Sequence, residues 1–328
     1  MHDRLDLAIW LEPEPSSTQR LEEEGIQAHL NFWKLPECKA LDIGIDFPFM
    51  KAGKVNIFIA TDKNVRVENL SPLLKDAEIL NTLFNEFVAT ETCPAKTKCL
   101  KATRPAQEGC KASTFCLCCL EECVKCRDVY GGRLIEIDVA NAPCTHTCEC
   151  GRQYVRLRLM GDAITESYRK EKIPCSKFEY YTSRLEFLDF RLNNVRSLPS
   201  SLLRSVNTYP KLSKIRCFLM LQSSEKLVLY NKNYRKVRPL EKEKWDRYLP
   251  HPEKTSSLWR KLKKEGKAIL AYQWNNDTEE QSFSLFTGIK SSDISLRTFV
   301  FFLLMSTFFG ILPSLIASAI WEKIRDLL

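Results

Sequence analysis

The sequence predicts a mainly β protein, a sandwich or a jelly-roll-like pair of sheets, with a cysteine-rich zinc-ribbon-like insertion and one C-terminal transmembrane helix. Three observations support this prediction. Apolar and polar residues alternate in many short segments, 11 of the 14 cysteines fall between Cys93 and Cys150, and Thr298 to Ile320 contains no charged residue. Alternation of this kind is typical of strands that bury one face. The 328 residues allow one soluble unit of roughly 290 residues beside a membrane segment.

Strand patterns dominate the N-terminal part of the soluble domain, residues 1–90. The alternating segments are 26–32, 41–49 and 55–59. Ser71 and Pro72 then stand where an N-cap and a first helical residue are expected, and the period changes to that of an amphipathic helix that reaches Phe87.

The cysteine-rich segment, residues 91–152, has too few large apolar residues to build a core by itself. Cys123 and Cys126 precede a predicted strand at 133–139, and three further cysteines follow it, so that loops at the two ends of a hairpin could form a tetrahedral zinc site. The predicted ligands of this first site are Cys123, Cys126, Cys148 and Cys150, with Cys144 or His146 as substitutes. A second ion could use Cys93, Cys99, Cys110, Cys116 and Cys119. Iron–sulfur ligation and cysteines without metal are the alternatives.

The C-terminal part of the soluble domain, residues 153–290, continues the strand pattern and is basic. Its predicted strands are 155–159, 178–192, 215–221, 227–229, 268–274 and 283–286. Between Arg204 and Lys267 there are 18 lysines and arginines against 6 acidic residues, a net charge of +12. The basic residues that lie among tyrosines and tryptophans are Lys232, Arg235, Lys236, Arg238, Arg260, Lys261, Lys263 and Lys264. This patch suits anionic lipid headgroups, or nucleic acid and nucleotides whose bases stack on aromatic rings; a solvated surface is the alternative.

The apolar segment at 296–321 predicts a transmembrane helix, followed by a short tail at 322–328. Its 23 uncharged residues rise about 34 Å at ~1.5 Å each, more than the roughly 30 Å of a hydrocarbon core. The N-terminus lacks a signal-peptide pattern, which favours a tail-anchored protein with its bulk in the cytoplasm. Small residues recur every four positions, at Ser306, Gly310, Ser314 and Ser318, and predict self-association of the helix.

No nucleophile, metal-hydrolase or phosphate-loop motif is present among the four histidines and 11 glycines, so we expect a protein that is not an enzyme. The favoured function is a zinc-stapled binding or sensing module for a protein or small ligand. One alternative is a self-associating effector that perturbs the membrane, as in bacterial defence or toxins. A membrane-tethered enzyme is the other alternative.

Overall fold

The computed structural model describes the following residues: 4–14, 18–36, 38–50, 53–92, 100–105, 113–118, 120, 123–139, 151–171, 183–206, 209–249, 267–276, 281–292 and 296–325. Within these residues the chain is mainly β and contains two mixed sheets and one long apolar helix at the C-terminal side. The predicted fold class is confirmed at this level. The zinc-ribbon-like character of the insertion stays a prediction.

The eight-stranded sheet has seven strands in one path, and an eighth strand, β12 (Tyr168–Glu171), pairs with β13. The order is β15 (Glu225–Tyr230), β18 (Phe283–Ser292), β13 (Ser183–Leu192), β1 (Leu5–Pro13), β4 (Gly53–Ile59), β10 (Gly132–Asp138) and β9 (Val124–Val129). Strands β1 and β13 are parallel, and the other pairs are antiparallel. In the described chain, β15 and β9 are therefore the two ends of this path, and β12 has one paired side.

The ten-stranded sheet has nine strands in one path, and β5 (Arg66–Asn69) pairs with β11. The order is β16 (Lys236–Pro239), β17 (Ile269–Asn276), β14 (Leu212–Gln222), β2 (Ile26–Lys34), β3 (Lys39–Pro48), β11 (Arg152–Met160), β8 (Ser113–Leu117), β7 (Leu100–Arg104) and β6 (Ala89–Thr92). Strands β2 and β14 are parallel, as are β8 and β11. The remaining pairs of this sheet are antiparallel.

One hydrophobic core lies between the two sheets and makes the architecture a sandwich. Its buried residues alternate along the strands of both sheets, for example Leu7 and Ile9 of β1 and Leu30 and Phe32 of β2. Each such side chain contributes about 1.5–3 kcal/mol when it is fully buried. Because successive side chains on a strand point to opposite faces, the residues between these core positions point to the outer faces of the sandwich.

Six α-helices connect or follow the strands in the described chain, beside two short 3₁₀ helices at Leu73–Lys75 and Val195–Ser197. The α-helices are α1 (Thr18–Glu24), α2 (Ala77–Phe84), α3 (Asp162–Glu166), α4 (Ser200–Ser205), α5 (Lys242–Trp245) and α6 (Leu296–Arg325). In place of one predicted helix from Pro72 to Phe87, the chain forms a 3₁₀ helix at Leu73–Lys75 and then α2, which ends before Phe87. Asp76 is its N-cap and accepts from the Glu78 N–H at 2.9 Å, and the helix ends at Asn85 in the left-handed region, so that Phe87 is exposed. Aspartate caps a helix as well as serine does, which explains the later start.

The described strands of the cysteine-rich segment belong to both sheets. Strands β7 and β8 join the ten-stranded sheet, whereas β9 and β10 join the eight-stranded sheet. The segment therefore takes its core from the sandwich, which compensates for its shortage of apolar residues.

The chain leaves the sandwich where β18 ends at Ser292, and α6 begins only four positions later, at Leu296. We call this end of the sandwich the anchor end. Helix α6 is long and apolar enough over Phe299–Arg325 to cross a membrane, which fits a single-pass membrane protein. It continues to Arg325, four residues past the predicted end at Trp321.

Candidate functional site

A cavity of about 350 Å³ lies on the outer face of the ten-stranded sheet. We call it the basic cavity. Alternation along the strands creates its floor: in β14, Ile215 and Cys217 point into the core, so Lys214 and Arg216 point outward. The C-terminal end of α2 and the short helix α5 form its walls.

Nineteen residues line the basic cavity. The polar ones are His29, Asn31, Asn85, Glu86, Arg156, Lys214, Arg216, Arg235, Lys236, Arg238, Gln273 and Asn275. The apolar ones are Leu83, Phe84, Phe218, Met220, Leu240, Trp245 and Ala271. Along β14 and β17 the apolar residues lie nearer the anchor end and the charged or amide side chains lie farther from it, so the cavity is amphipathic.

Positive charge dominates this lining, with six lysines and arginines and one carboxylate. Glu86 is shared: its carboxylate is 3.5 Å from Arg216 and 3.6 Å from Arg104. Arg238 donates to the amide oxygen of Asn85 at 3.0 Å, which holds its guanidinium at the rim. A concave, low-dielectric wall of one sign concentrates the field and attracts anions.

His29 lies in the floor of the basic cavity and is 5% exposed. Its Nδ1 is 3.3 Å from the Tyr154 hydroxyl, and its Nε2 is buried without a hydrogen-bond partner in the described chain. Burial, followed by the charges of Arg216 and Arg156, lowers the pKa of His29 well below its usual value. The ring is therefore neutral near pH 7. Tyr154 accepts from Arg156, so its own hydroxyl proton is available to Nδ1, and in that tautomer Nε2 carries the N–H.

A buried network supports the floor from below. Arg158 donates to both carboxylate oxygens of Asp42, at 2.6 and 3.1 Å, and a guanidinium nitrogen of Arg156 is 3.9 Å from the same carboxylate. Trp33 and Tyr248 each donate to Asp42 at 2.8 Å. The buried Asp42 carboxylate thus faces two fully buried guanidinium groups, and Arg158 also lies 3.9 Å from the exposed carboxylate of Glu68.

The structure brings together part of the predicted basic patch. Arg235, Lys236 and Arg238 line the basic cavity, whereas the Lys232 ammonium lies 4.8 Å from the centre of the Phe283 ring. Arg260, Lys261, Lys263 and Lys264 lie outside the described residues. The sequence interpretation did not single out the cavity residues His29, Arg156, Lys214 and Arg216. Lys214 and Arg216 were detectable, because they are the outward positions of a predicted strand.

Of the predicted zinc ligands, three are described. Cys116 in β8 and Cys123 just before β9 are buried, and Cys126 within β9 is exposed, so Cys123 and Cys126 do not share one face. The described residues contain no group of three or more possible metal ligands. The other predicted ligands lie outside the described residues: Cys93, Cys99, Cys110, Cys119, Cys144, His146, Cys148 and Cys150. The zinc sites therefore stay a prediction.

The flanks of the segment that holds Cys144 to Cys150 lie beside the described cysteines. The N–H of Asp138 donates to the Cys123 carbonyl at 2.9 Å, and the N–H of Cys118 donates to the Tyr154 carbonyl at 3.1 Å. This end of the sandwich is opposite the anchor end, because β10 and β3 run away from the anchor end toward it.

Comparison with protein-family models, with curated proteins and with solved structures finds no match. The function must therefore be argued from the site itself. In the described chain, the basic cavity is the concave site where several cations, a buried neutral histidine and aromatic rings meet.

Proposed function

We propose that this protein is a membrane-anchored binding and sensing module that holds a small phosphate-bearing ligand in the basic cavity. The observation that carries the proposal is the lining of six lysines and arginines against the single carboxylate of Glu86. Arginine guanidinium groups suit phosphate because they donate paired N–H bonds to its oxygens. The His29 Nε2 donor and the Arg156 guanidinium, held in place from below, add polar groups that need no rearrangement.

The apolar part of the same cavity narrows the ligand class. The half-buried Phe218 offers a ring beside the cationic side chains, backed by the buried Phe84 and Trp245, and the volume of about 350 Å³ lies at the lower end of small-molecule sites. A ligand with a planar organic body and one or more phosphates uses both parts. We therefore favour a nucleoside phosphate, with aromatic stacking for the base and the cations for the phosphates.

Three further elements complete the proposal. The bulk of the chain lies in the cytoplasm, the cysteine-rich segment binds one or two zinc ions, and copies of the protein associate through α6. Support for the first comes from the sequence alone. Two hydrogen bonds support the zinc proposal. The Asp138 N–H donates to the Cys123 carbonyl and the Cys118 N–H donates to the Tyr154 carbonyl, so both flanks of the Cys144 to Cys150 segment lie beside a described cysteine. For the third, Pro313 lies inside α6 and leaves the Phe309 carbonyl without its N–H partner, a group that a neighbouring helix in lipid could satisfy.

The test measures binding of ATP, inorganic phosphate and adenosine to the full chain in detergent by isothermal calorimetry. We expect ATP to bind best, and affinity to fall when salt is raised from 0.05 to about 0.5 M, because ions screen charge attraction. Replacing Arg216→Gln should weaken ATP binding about 10- to 100-fold, since a hydrogen bond to a charged group is worth ~1.5–3 kcal/mol.

The matched control is Arg196→Gln, which removes one positive charge from an exposed arginine that does not line the cavity. It should leave ATP affinity within about twofold. An equal loss of ATP affinity in the two variants would mean that only the net charge of the protein matters, and it would contradict a specific site in the basic cavity. Absence of heat with ATP and with phosphate would sink the proposal.

A further inference from the structure

The outer face of the eight-stranded sheet carries a second basic and apolar surface at the anchor end. Lys226 of β15 lies directly opposite Lys290 of β18, so their side chains are on the same face. A depression of about 430 Å³ lies here, lined by Ser223, Ser224, Lys226, Val228 and Lys290. This surface shares no residue with the basic cavity.

Large apolar side chains continue this surface away from the two lysines. Val228 is 44% exposed, Leu229 50% and Phe286 39%, and the Phe286 ring stacks on Phe187 at 5.5 Å. Leu229 lies opposite Gly288, whose missing side chain makes room: an added Cβ would be 3.0 Å from Phe187 and 3.1 Å from Leu229. A contiguous apolar surface beside cations marks a contact site rather than an ordinary solvated face.

The anchor limits how far this surface can be from a membrane. Ser292 and Leu296 are joined by four Cα steps of about 3.8 Å, so these two Cα atoms are at most ~15 Å apart. The span begins at Phe299, and headgroup regions extend roughly 5–8 Å beyond each side of the hydrocarbon core. Lys290, two residues before Ser292, therefore lies within ~27 Å of the start of the span, so the bilayer is within reach of this end of the sandwich.

We propose that the face formed by β15 and the anchor end of β18 is a lipid-binding site that rests on the bilayer. Lys226 and Lys290 bind the phosphates of anionic lipid headgroups, with Ser223 and Ser224 as hydroxyl donors. Val228, Leu229 and Phe286 enter the interfacial layer. The site fixes the tilt of the sandwich on its own membrane.

Charge and tether favour a lipid surface over a second copy of the chain. Two directly opposed lysines match a negative headgroup layer, and they repel the same pair on another copy that approaches face to face. The tether holds this face near the membrane continuously, whereas a second copy must first be encountered.

The experiment is hydrogen–deuterium exchange of the full chain in nanodiscs that contain one copy each. One set of discs contains only phosphatidylcholine, and the other contains 30% phosphatidylserine. We expect the amides of Glu225–Tyr230 and the anchor end of β18 to exchange several-fold more slowly in the anionic discs. Replacing Lys226→Gln should lower that protection about fivefold, because one lysine near an anionic surface contributes about 1 kcal/mol.

Lys125→Gln is the matched control, because Lys125 is an exposed lysine on β9, the opposite edge of the same sheet. It should leave the protection unchanged, and exchange in the buried strand β3 should be the same in every variant, which reports an intact fold. Equal exchange of β15 in the two lipids would overturn the proposal. Protection that appears only in discs with two copies, independent of lipid charge, would assign the face to a second copy and overturn it as well.

Discussion

At the scale of single residues, we expect replacement of Asp42 to destabilise the fold. Its carboxylate is fully buried and compensates the guanidinium groups of Arg156 and Arg158, which are also buried. Asp42→Asn keeps the shape but removes the only carboxylate within 3 Å of Arg158 in the described chain. Leaving a buried charge uncompensated costs about 3–5 kcal/mol, so we expect a loss of that size in the free energy of unfolding.

Urea unfolding of the full chain in detergent, followed by circular dichroism, measures this loss. Asp128→Asn is the matched control, because its carboxylate also pairs with an arginine, Arg133 at 2.8 Å, but is 79% exposed. Exposed pairs contribute about 0–1 kcal/mol. If the two variants unfold at the same urea concentration, the network beneath the basic cavity is not a stabilising one.

The sequence allows prediction of the residues that line the basic cavity only where these residues are close together along the chain. Arg235, Lys236 and Arg238 are neighbours, so local composition identifies them. Arg156 in β11 and His29 in β2 are far along the chain from these three residues. They reach the cavity because β2 lies between β14 and β3, and β11 pairs with β3, an order that long-range pairing sets and that local sequence does not encode.

At the scale of elements, strict alternation made β2 and β3 predictable, whereas β1 was not predicted. The β1 sequence reads LDLAIWLEP. Ala8 and Trp10 point away from the core between the sheets, but they are buried too, because they pack against Leu202 of α4 and Leu198 just before it. A strand that is covered on both faces loses the polar alternation that identifies a half-exposed strand. The missing signal in β1 is thus a consequence of the helix that packs on it.

The prediction at the scale of elements concerns self-association of α6. Gly310 lies in the middle of the small-residue positions, and Gly310→Leu should block close approach of two helices and weaken self-association about tenfold, since interhelical contacts of this kind are worth ~1–2 kcal/mol. Energy transfer between labelled full chains in liposomes, measured against the protein-to-lipid ratio, gives the association constant.

Ala319→Leu provides the matched control for that experiment. It adds a similar side chain nine residues later, about 180° around the helix from Gly310 at 100° per residue. It should leave the association constant unchanged. Equal weakening by the two variants would show that bulk alone, and not this face of α6, controls association.

At the scale of the whole molecule, the cysteine-rich segment connects the two sheets at the end opposite the anchor. Residues 140–150 run from β10 in one sheet to β11 in the other, and Cys116 of β8 and Cys123 before β9 belong to different sheets as well. A metal ion held by cysteines from these parts would join the sheets directly. Loss of the metal would therefore lower the stability of the whole sandwich and not only the order of one loop.

We therefore predict that the full chain purified in detergent contains one or two zinc ions, measured by elemental mass spectrometry. A strong chelator should lower the midpoint of thermal unfolding by about 10 °C, because a loss of a few kcal/mol shifts it by ~2–4 °C per kcal/mol in a domain of this size. Cys148→Ser should lose zinc, whereas Cys38→Ser, at a cysteine outside the cluster, should retain it. A chain without metal in which the thiols of Cys116, Cys118 and Cys123 react only after unfolding would instead make these three buried cysteines ordinary core residues. The two sheets would then be joined at that end by apolar packing alone.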